Sequence, residues 1–168
     1  MPSPQSSSAP ASFTGRDLVV GVVPGQPDVV AETALDWART SGAATVHFVY
    51  VDPSRVHADG TDREIAIDPD SANEDRRSDR ERTLNDELRR VAADSGVTWD
   101  FRYLVGNPER EIEAVADEVD AAAIVIGTRR RGFFDDLREL VDGSVAVALS
   151  RSQKRPVIVV PQHPVADR

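Results

Sequence analysis

Apolar positions along the chain alternate between unbroken β-branched runs and stripes at helical spacing. Leu18-Val19-Val20-Gly21-Val22-Val23 is a run without alternation, which predicts a strand covered on both faces, as in a parallel sheet. Pro24-Gly25-Gln26-Pro27 stops it. Asp28 is placed to cap a helix, Val29, Val30, Thr33, Ala34, Trp37 and Ala38 follow at helical spacing, and Ser41-Gly42 ends the helix. Ala44 to Val51 predicts a second strand, closed by Asp52-Pro53.

Residues 53–75 are polar and punctuated by Pro53, Gly60 and Pro69. They read as a flap, with extended structure centred on Ile65-Ala66-Ile67. From Glu74 to Arg82 the chain is nearly all charge of mixed sign, and Leu84, Leu88, Val91 and Ala92 add one narrow apolar stripe. The spacing predicts a helix over about 74–94 with a largely solvated first half, ended by Ser95-Gly96. Val97 to Leu104 alternates cleanly, with Val97, Trp99, Phe101 and Tyr103 on one face and Thr98, Asp100 and Arg102 on the other. That predicts a half-exposed edge strand.

Gly106-Asn107-Pro108-Glu109 is a helix start, with Asn as cap and Pro at the first helical position. Ile112, Val115, Ala116 and Val119 form its buried stripe, and Ala122 to Ile126 is a fourth strand ending at Gly127. After a loop rich in Arg and Gly, Ser144 is placed to cap a helix carrying Val145, Ala148 and Leu149, and Pro156 to Pro161 holds the last strand. Strands separated by helices pair in parallel through right-handed crossovers. The fold class is therefore α/β, a single doubly wound sheet, which binds ligands outside the carboxyl ends of its strands.

Composition narrows the function. With 168 residues the chain is one domain, and with no cysteine it has no thiol nucleophile, disulfide or Cys-ligated metal. Net charge is -9, which opposes binding to a phosphate backbone, so no nucleic-acid partner is expected. No apolar run approaches the roughly 18 residues of a membrane span. Residues 1–16 are rich in Ser, Pro and Ala and read as a disordered tail, with neither the basic start nor the apolar core of a secretory signal. The domain is placed at 17–161 and a C-terminal tail at 162–168, in a protein expected to be soluble and cytoplasmic.

The carboxyl ends carry Val23-Pro24-Gly25, Val51-Asp52 and Gly127-Thr128. The stretch from Gly127 through Arg129, Arg130, Arg131 and Gly132 to Gly143-Ser144-Val145 holds the most chemistry. Glycines admit close backbone approach, a helix start offers free N–H groups, Ser144 adds a hydroxyl, and the arginines add charge. There is no Gly-Lys-Ser/Thr and no Gly-x-Gly-x-x-Gly after the first strand, so neither a Walker loop nor a dinucleotide fingerprint is present. As bare spacing, Gly127 and Gly143 serve turns and a helix start equally well.

Taken together, Val19-Val20-Gly21-Val22, Val46-His47-Phe48-Val49, Ala123-Ile124-Val125-Ile126-Gly127-Thr128-Arg129, Gly143-Ser144-Val145-Ala146 and Arg155 to Pro161 resemble a universal stress protein of the UspA type. The resemblance implies an adenine-nucleotide alpha-hydrolase-like sheet of five strands in the order 3-2-1-4-5 and a homodimer through the last strand, Val157–Val160. One branch of the family binds ATP through Gly-x2-Gly-x9-Gly-Ser/Thr; the other lacks that motif and binds no nucleotide. By the resemblance, Gly127 matches the first glycine, Arg130 stands at the second with Gly132 nearby, and Gly143, Ser144 and Val145 match the phosphate end. The adenine-binding Asp of the family falls on Val23, leaving the backbone of Val23 and Val51 to read the base.

Other chemistries are poorly supported. The histidines (His47, His57, His163) have no metal-ligand spacing, and Asp68, Asp70, Glu74 and Asp75 lack the glycine and closing glutamate of a calcium loop. Ser144 has neither an elbow motif nor a histidine that the topology places beside it. Trp37, Trp99 and Phe101 read as packing residues. The expected function is a small stress-response module binding ATP or another adenine nucleotide with Mg²⁺, without turnover. The alternatives are a nucleotide-free interaction protein, with unknown protein partners, and a weak nucleotide hydrolase using Asp52 or Asp28 to position water.

Overall fold

In a computed structural model of the chain, the described residues are 12–57, 64–66, 74–128, 144–152 and 154–162. The chain runs β1 (Leu18–Gly21), α1 (Val29–Ser41), β2 (Thr45–Asp52), β3 (Arg55–His57), β4 (Glu64–Ala66), α2 (Glu74–Ala92), β5 (Thr98–Val105), α3 (Pro108–Glu118), β6 (Ala123–Gly127), α4 (Ser144–Ser152) and β7 (Val157–Val160). Five strands form one parallel sheet in the order β5-β2-β1-β6-β7. Counting only these five, the order is 3-2-1-4-5, as the family resemblance implies. β3 and β4 pair antiparallel as a separate unit. Extended structure in the flap thus lies at 64–66, and its partner strand at 55–57 had no signal in the polar sequence around it.

The two faces of the sheet are covered by different helices. Val20, Val46, Phe48 and Val125 pack with Ala34, Leu35, Leu84 and Leu88 from α1 and α2. Val19, Val49, Ile124 and Ile126 pack with Ile112, Val115 and Leu149 from α3 and α4. That is why β1 reads as an unbroken apolar run: Leu18, Val19 and Val20 are fully buried, one after another. β5 lies at the edge, and Val97, Trp99, Phe101 and Tyr103 do share one side. Trp99 meets Phe48 edge-on at 5.9 Å, a packing role.

Local signals explain the helix ends. The Asn107 side chain accepts the Arg110 N–H at 3.1 Å, capping α3 with Pro108 behind it. Gly42 ends α1 in the left-handed region at φ 69°. Asp28, expected to cap α1, makes no cap hydrogen bond with its side chain. It pairs instead with Arg90 of α2 at 2.9 Å, because its backbone is already helical.

Residues 13–16, placed in the expected N-terminal tail, contact the body of the domain. Phe13 packs on Trp37 with ring centroids 5.3 Å apart, and the Gly15 N–H donates to the Gly42 carbonyl. Arg16 donates to the Asp120 carbonyl at 2.8 Å and reaches its carboxylate at 2.9 Å. One aromatic ring and one arginine suffice to hold residues 13–16 to the body. Residues 1–11 and 163–168, which make up most of the two expected tails, lie outside the described residues.

Candidate functional site at the carboxyl end of the sheet

β1 stops early. Its last residue, Gly21, pairs with Val49 on one side and Ile126 on the other, while β2 continues to Asp52. The Val22 N–H still donates to the Val49 carbonyl at 2.9 Å, and then the chain turns away. In a parallel ladder alternate residues face the same neighbour. The peptide groups of Val51 therefore face the same side as those of Val49, beyond the point where β1 has ended. The result is a notch between β2 and β6, at the place where strand order reverses.

The turn after β1 forms one wall. Val23 is 47% exposed, its carbonyl accepts the Gln26 N–H at 3.2 Å, and its own N–H donates to Gln26 Oε1 at 3.2 Å. Pro24 and Gly25 occupy the middle of the turn, and Gly25 sits at φ 67°, a value that favours glycine. The Val23 backbone, expected to read the base, is thus committed to Gln26. Gln26 had not been singled out as a site residue; a glutamine two residues after a Pro at the centre of a strand-ending turn was the available signal.

Asp52 differs more sharply from expectation. It is 3% exposed and accepts four hydrogen bonds. They come from the Ser54 N–H at 3.0 Å, the Ser54 hydroxyl, the Tyr103 hydroxyl at 2.7 Å and the Arg80 guanidinium at 2.9 Å. Burial alone would raise its carboxyl, but the hydrogen bonds from Ser54 and Tyr103 and the charge of Arg80 hold it below the ordinary carboxylate value. This carboxylate has its lone pairs taken up by hydrogen bonds within the fold. It anchors the loop after β2, the edge strand and the first half of α2. That half is largely solvated, as expected, with two exceptions: Arg80 turns inward, and the Arg77 guanidinium lies 5.2 Å from the centroid of the Tyr103 ring. Asp-Pro-Ser carries the signal of a side chain bonding the backbone two residues on. The Tyr103 and Arg80 contacts are tertiary and left none.

The opposite wall is the end of β6. A Cβ on Gly127 would come within 1.8 Å of Gln162 Nε2 and 2.9 Å of Val30 Cγ2. A side chain at this position would have to move Gln162 aside and would press on buried Val30 of α1. Thr128 donates its N–H to the Val160 carbonyl at 2.8 Å and accepts the Gln162 N–H on its hydroxyl at 2.9 Å. Its hydroxyl is a latch within the fold.

Val145, partly buried, packs against the core beneath α4. Ser144 is the first residue of α4. Arg129, Arg130, Arg131, Gly132 and Gly143 lie outside the described residues. Among the described residues the structure thus brings Val23, Pro24, Gly25, Val51, Gly127 and Thr128 to the carboxyl end of the sheet and turns Asp52 inward.

His47 is accounted for by the fold. It is 6% exposed, with Nδ1 2.8 Å from Asp100 and Nε2 3.2 Å from Asp17. No group of three or more His, Asp or Glu among the described residues is placed to hold a metal ion.

The sequence model of the universal stress protein family matches residues 16–161. The chain belongs to the universal stress protein family. Its fold is similar to that of a universal stress family protein from Burkholderia pseudomallei, at 25% identity and a TM-score of 0.60, covering 94% of this chain and 99% of that one. It is likewise similar to the universal stress protein of Archaeoglobus fulgidus in complex with dAMP, at 25% identity and a TM-score of 0.55, covering 86% and 97%. UspA from Lactobacillus plantarum shares the fold at 21% identity and a TM-score of 0.62, covering 88% and 98%. No curated protein sequence matches the chain.

Proposed function

We propose that this universal stress protein binds an adenine nucleotide, ATP or a close relative, in the notch above β1. The observation that carries this is the early end of β1 beside a longer β2: it frees the Val51 peptide to meet a base edge, one strand away from Gly127. The complex of the Archaeoglobus fulgidus relative with dAMP supports the ligand class. Contacts to the phosphates would come from the first turn of α4 at Ser144, since the amino end of a helix favours an anion. Gly143 joins them by the family motif, and arginines 129–131 would add positive charge. Mg²⁺ would arrive with the phosphates, since no carboxylate cluster among the described residues offers it a cage.

Binding without turnover fits the site better than hydrolysis. The two acids considered for positioning water are both engaged, Asp52 with Arg80 and Asp28 with Arg90. Val23 in place of the family's Asp, with its backbone held by Gln26, is what favours the second reading, a nucleotide-free interaction protein. In either case a homodimer through β7 is consistent with an edge strand on which Val159 is 43% exposed. The protein is read as cytoplasmic; no described helix is long and apolar enough to cross a membrane.

Mass spectrometry of small molecules released from gently purified protein tests the ligand class. A stoichiometric adenine nucleotide is the expected result. Protein that carries no nucleotide and takes up none on incubation with Mg-ATP would favour the interaction protein.

A further inference from the structure

We infer that Gln162 gates the notch: its carboxamide covers Gly127, and a nucleotide reaching that glycine must displace it. The inference rests on the nucleotide binding proposed above. The main chain of Gln162 is fixed, because its N–H donates to Thr128 Oγ1 at 2.9 Å and Thr128 in turn donates to the Val160 carbonyl at 2.8 Å. Its side chain has no such tie: among the described residues the carboxamide has no hydrogen-bond partner, and the residue is only partly buried.

Nε2 and Cδ would stand 1.8 and 2.9 Å from a Cβ on Gly127, so the amide lies directly against the glycine. The other group over Gly127, Val30, is fully buried in α1 and has nowhere to go. Of these two, Gln162 is the one that can move. It turns on a pinned backbone through three side-chain torsions and breaks no hydrogen bond to a described residue when it leaves.

A ligand that binds only the open arrangement has its dissociation constant raised by the inverse of the open fraction. Shortening the side chain removes that penalty. Replacing it by methionine, of equal reach but without the amide, keeps the cover. Gln162→Ala should therefore bind AMP and Mg-ATP about three- to tenfold more tightly than wild type. Gln162→Met should stay close to wild type.

The test is titration calorimetry of the full chain and both variants with Mg-ATP and with AMP, with thermal unfolding run alongside to show that all three are folded. Tighter binding by Gln162→Ala alone supports the gate. Binding by Gln162→Ala where wild type shows none supports it in a more closed form. Equal or weaker binding by Gln162→Ala overturns the gate and leaves nucleotide binding standing, and so does tightening by both variants. No binding by any of the three overturns both.

Discussion

Tyr103 on the edge strand donates its phenolic hydrogen to Asp52 at 2.7 Å, joining the ends of two neighbouring strands through one buried carboxylate. Arg80 completes the cluster from α2, and Ser54 from the loop that follows β2. One acidic side chain thus fixes four segments of chain at the edge of the proposed nucleotide site. Removing it leaves buried donors without a partner, which costs more than the hydrogen bonds themselves were worth. Asp52→Ala should lower stability by about 2–4 kcal/mol in urea titration. Arg80→Ala should cost less, because Arg80 is partly exposed and solvent replaces it at Asp52. A change of less than about 0.5 kcal/mol in Asp52→Ala would contradict the anchoring role.

The chain's two tyrosines both belong to this cluster. Burial and the neighbouring Asp52 charge push Tyr50 up to about 12, and burial with donation to Asp52 raises Tyr103 still further. A phenol raised on folding contributes stability in full below its unfolded value of 10.0, and that stability is lost as pH rises through the folded value. Ultraviolet titration of the native protein should therefore show no phenolate where the urea-unfolded chain is already ionised. A phenolate signal of ordinary tyrosine pKa in folded protein would contradict the buried cluster.

Asp52 acts with the opposite sign. Its carboxyl is lowered from 3.8 on folding, so its contribution is complete above that value and is lost as pH falls through the folded one. Stability in urea should decline on the acid side in wild type, and Asp52→Asn should show a shallower decline. Parallel pH profiles for the two proteins would exclude Asp52 from the acid transition.

His47 ties β1's entry to the edge strand by placing one ring nitrogen against Asp17 and the other against Asp100. His47→Ala should destabilise by about 1–3 kcal/mol, since it opens a cavity under the sheet and removes the ring contacts to Asp17 and Asp100. His47→Gln can keep one of the two contacts and should fall between. Thermal unfolding midpoints would order the three proteins; an unchanged midpoint in His47→Ala would refute the bridging role.

Gly127→Ala should cost about 1–3 kcal/mol, because the new methyl meets both Gln162 and the buried Val30. Combining it with Gln162→Ala should recover only part of that loss, since Val30 remains in place. Full recovery in urea titration would show that Val30 gives way.

The fold was legible because periodicity and covering agree. β1 carries no alternation and is buried on both faces, whereas β5 alternates and lies at the edge. Asn107 showed its role because a cap is local; Asp28 misled because its partner, Arg90, is distant in sequence. The site was less legible for the same reason. Asp52 looks like a ligand contact at the end of a strand, and only the β2–β5 register brings Tyr103 to it. Gln26 and Gln162 occupy positions where the sequence pattern announces only the end of a strand, and their contacts with Val23 and Gly127 depend on the folded turn and the β6–β7 pairing.

Titration calorimetry of the intact chain with Mg-ATP tests nucleotide binding most directly. Saturable heat at one nucleotide per chain, without accumulation of free phosphate over the same period, is the expected result. No heat of binding with Mg-ATP or AMP at temperatures that separate zero enthalpy from no binding, in wild type and in Gln162→Ala alike, would contradict it.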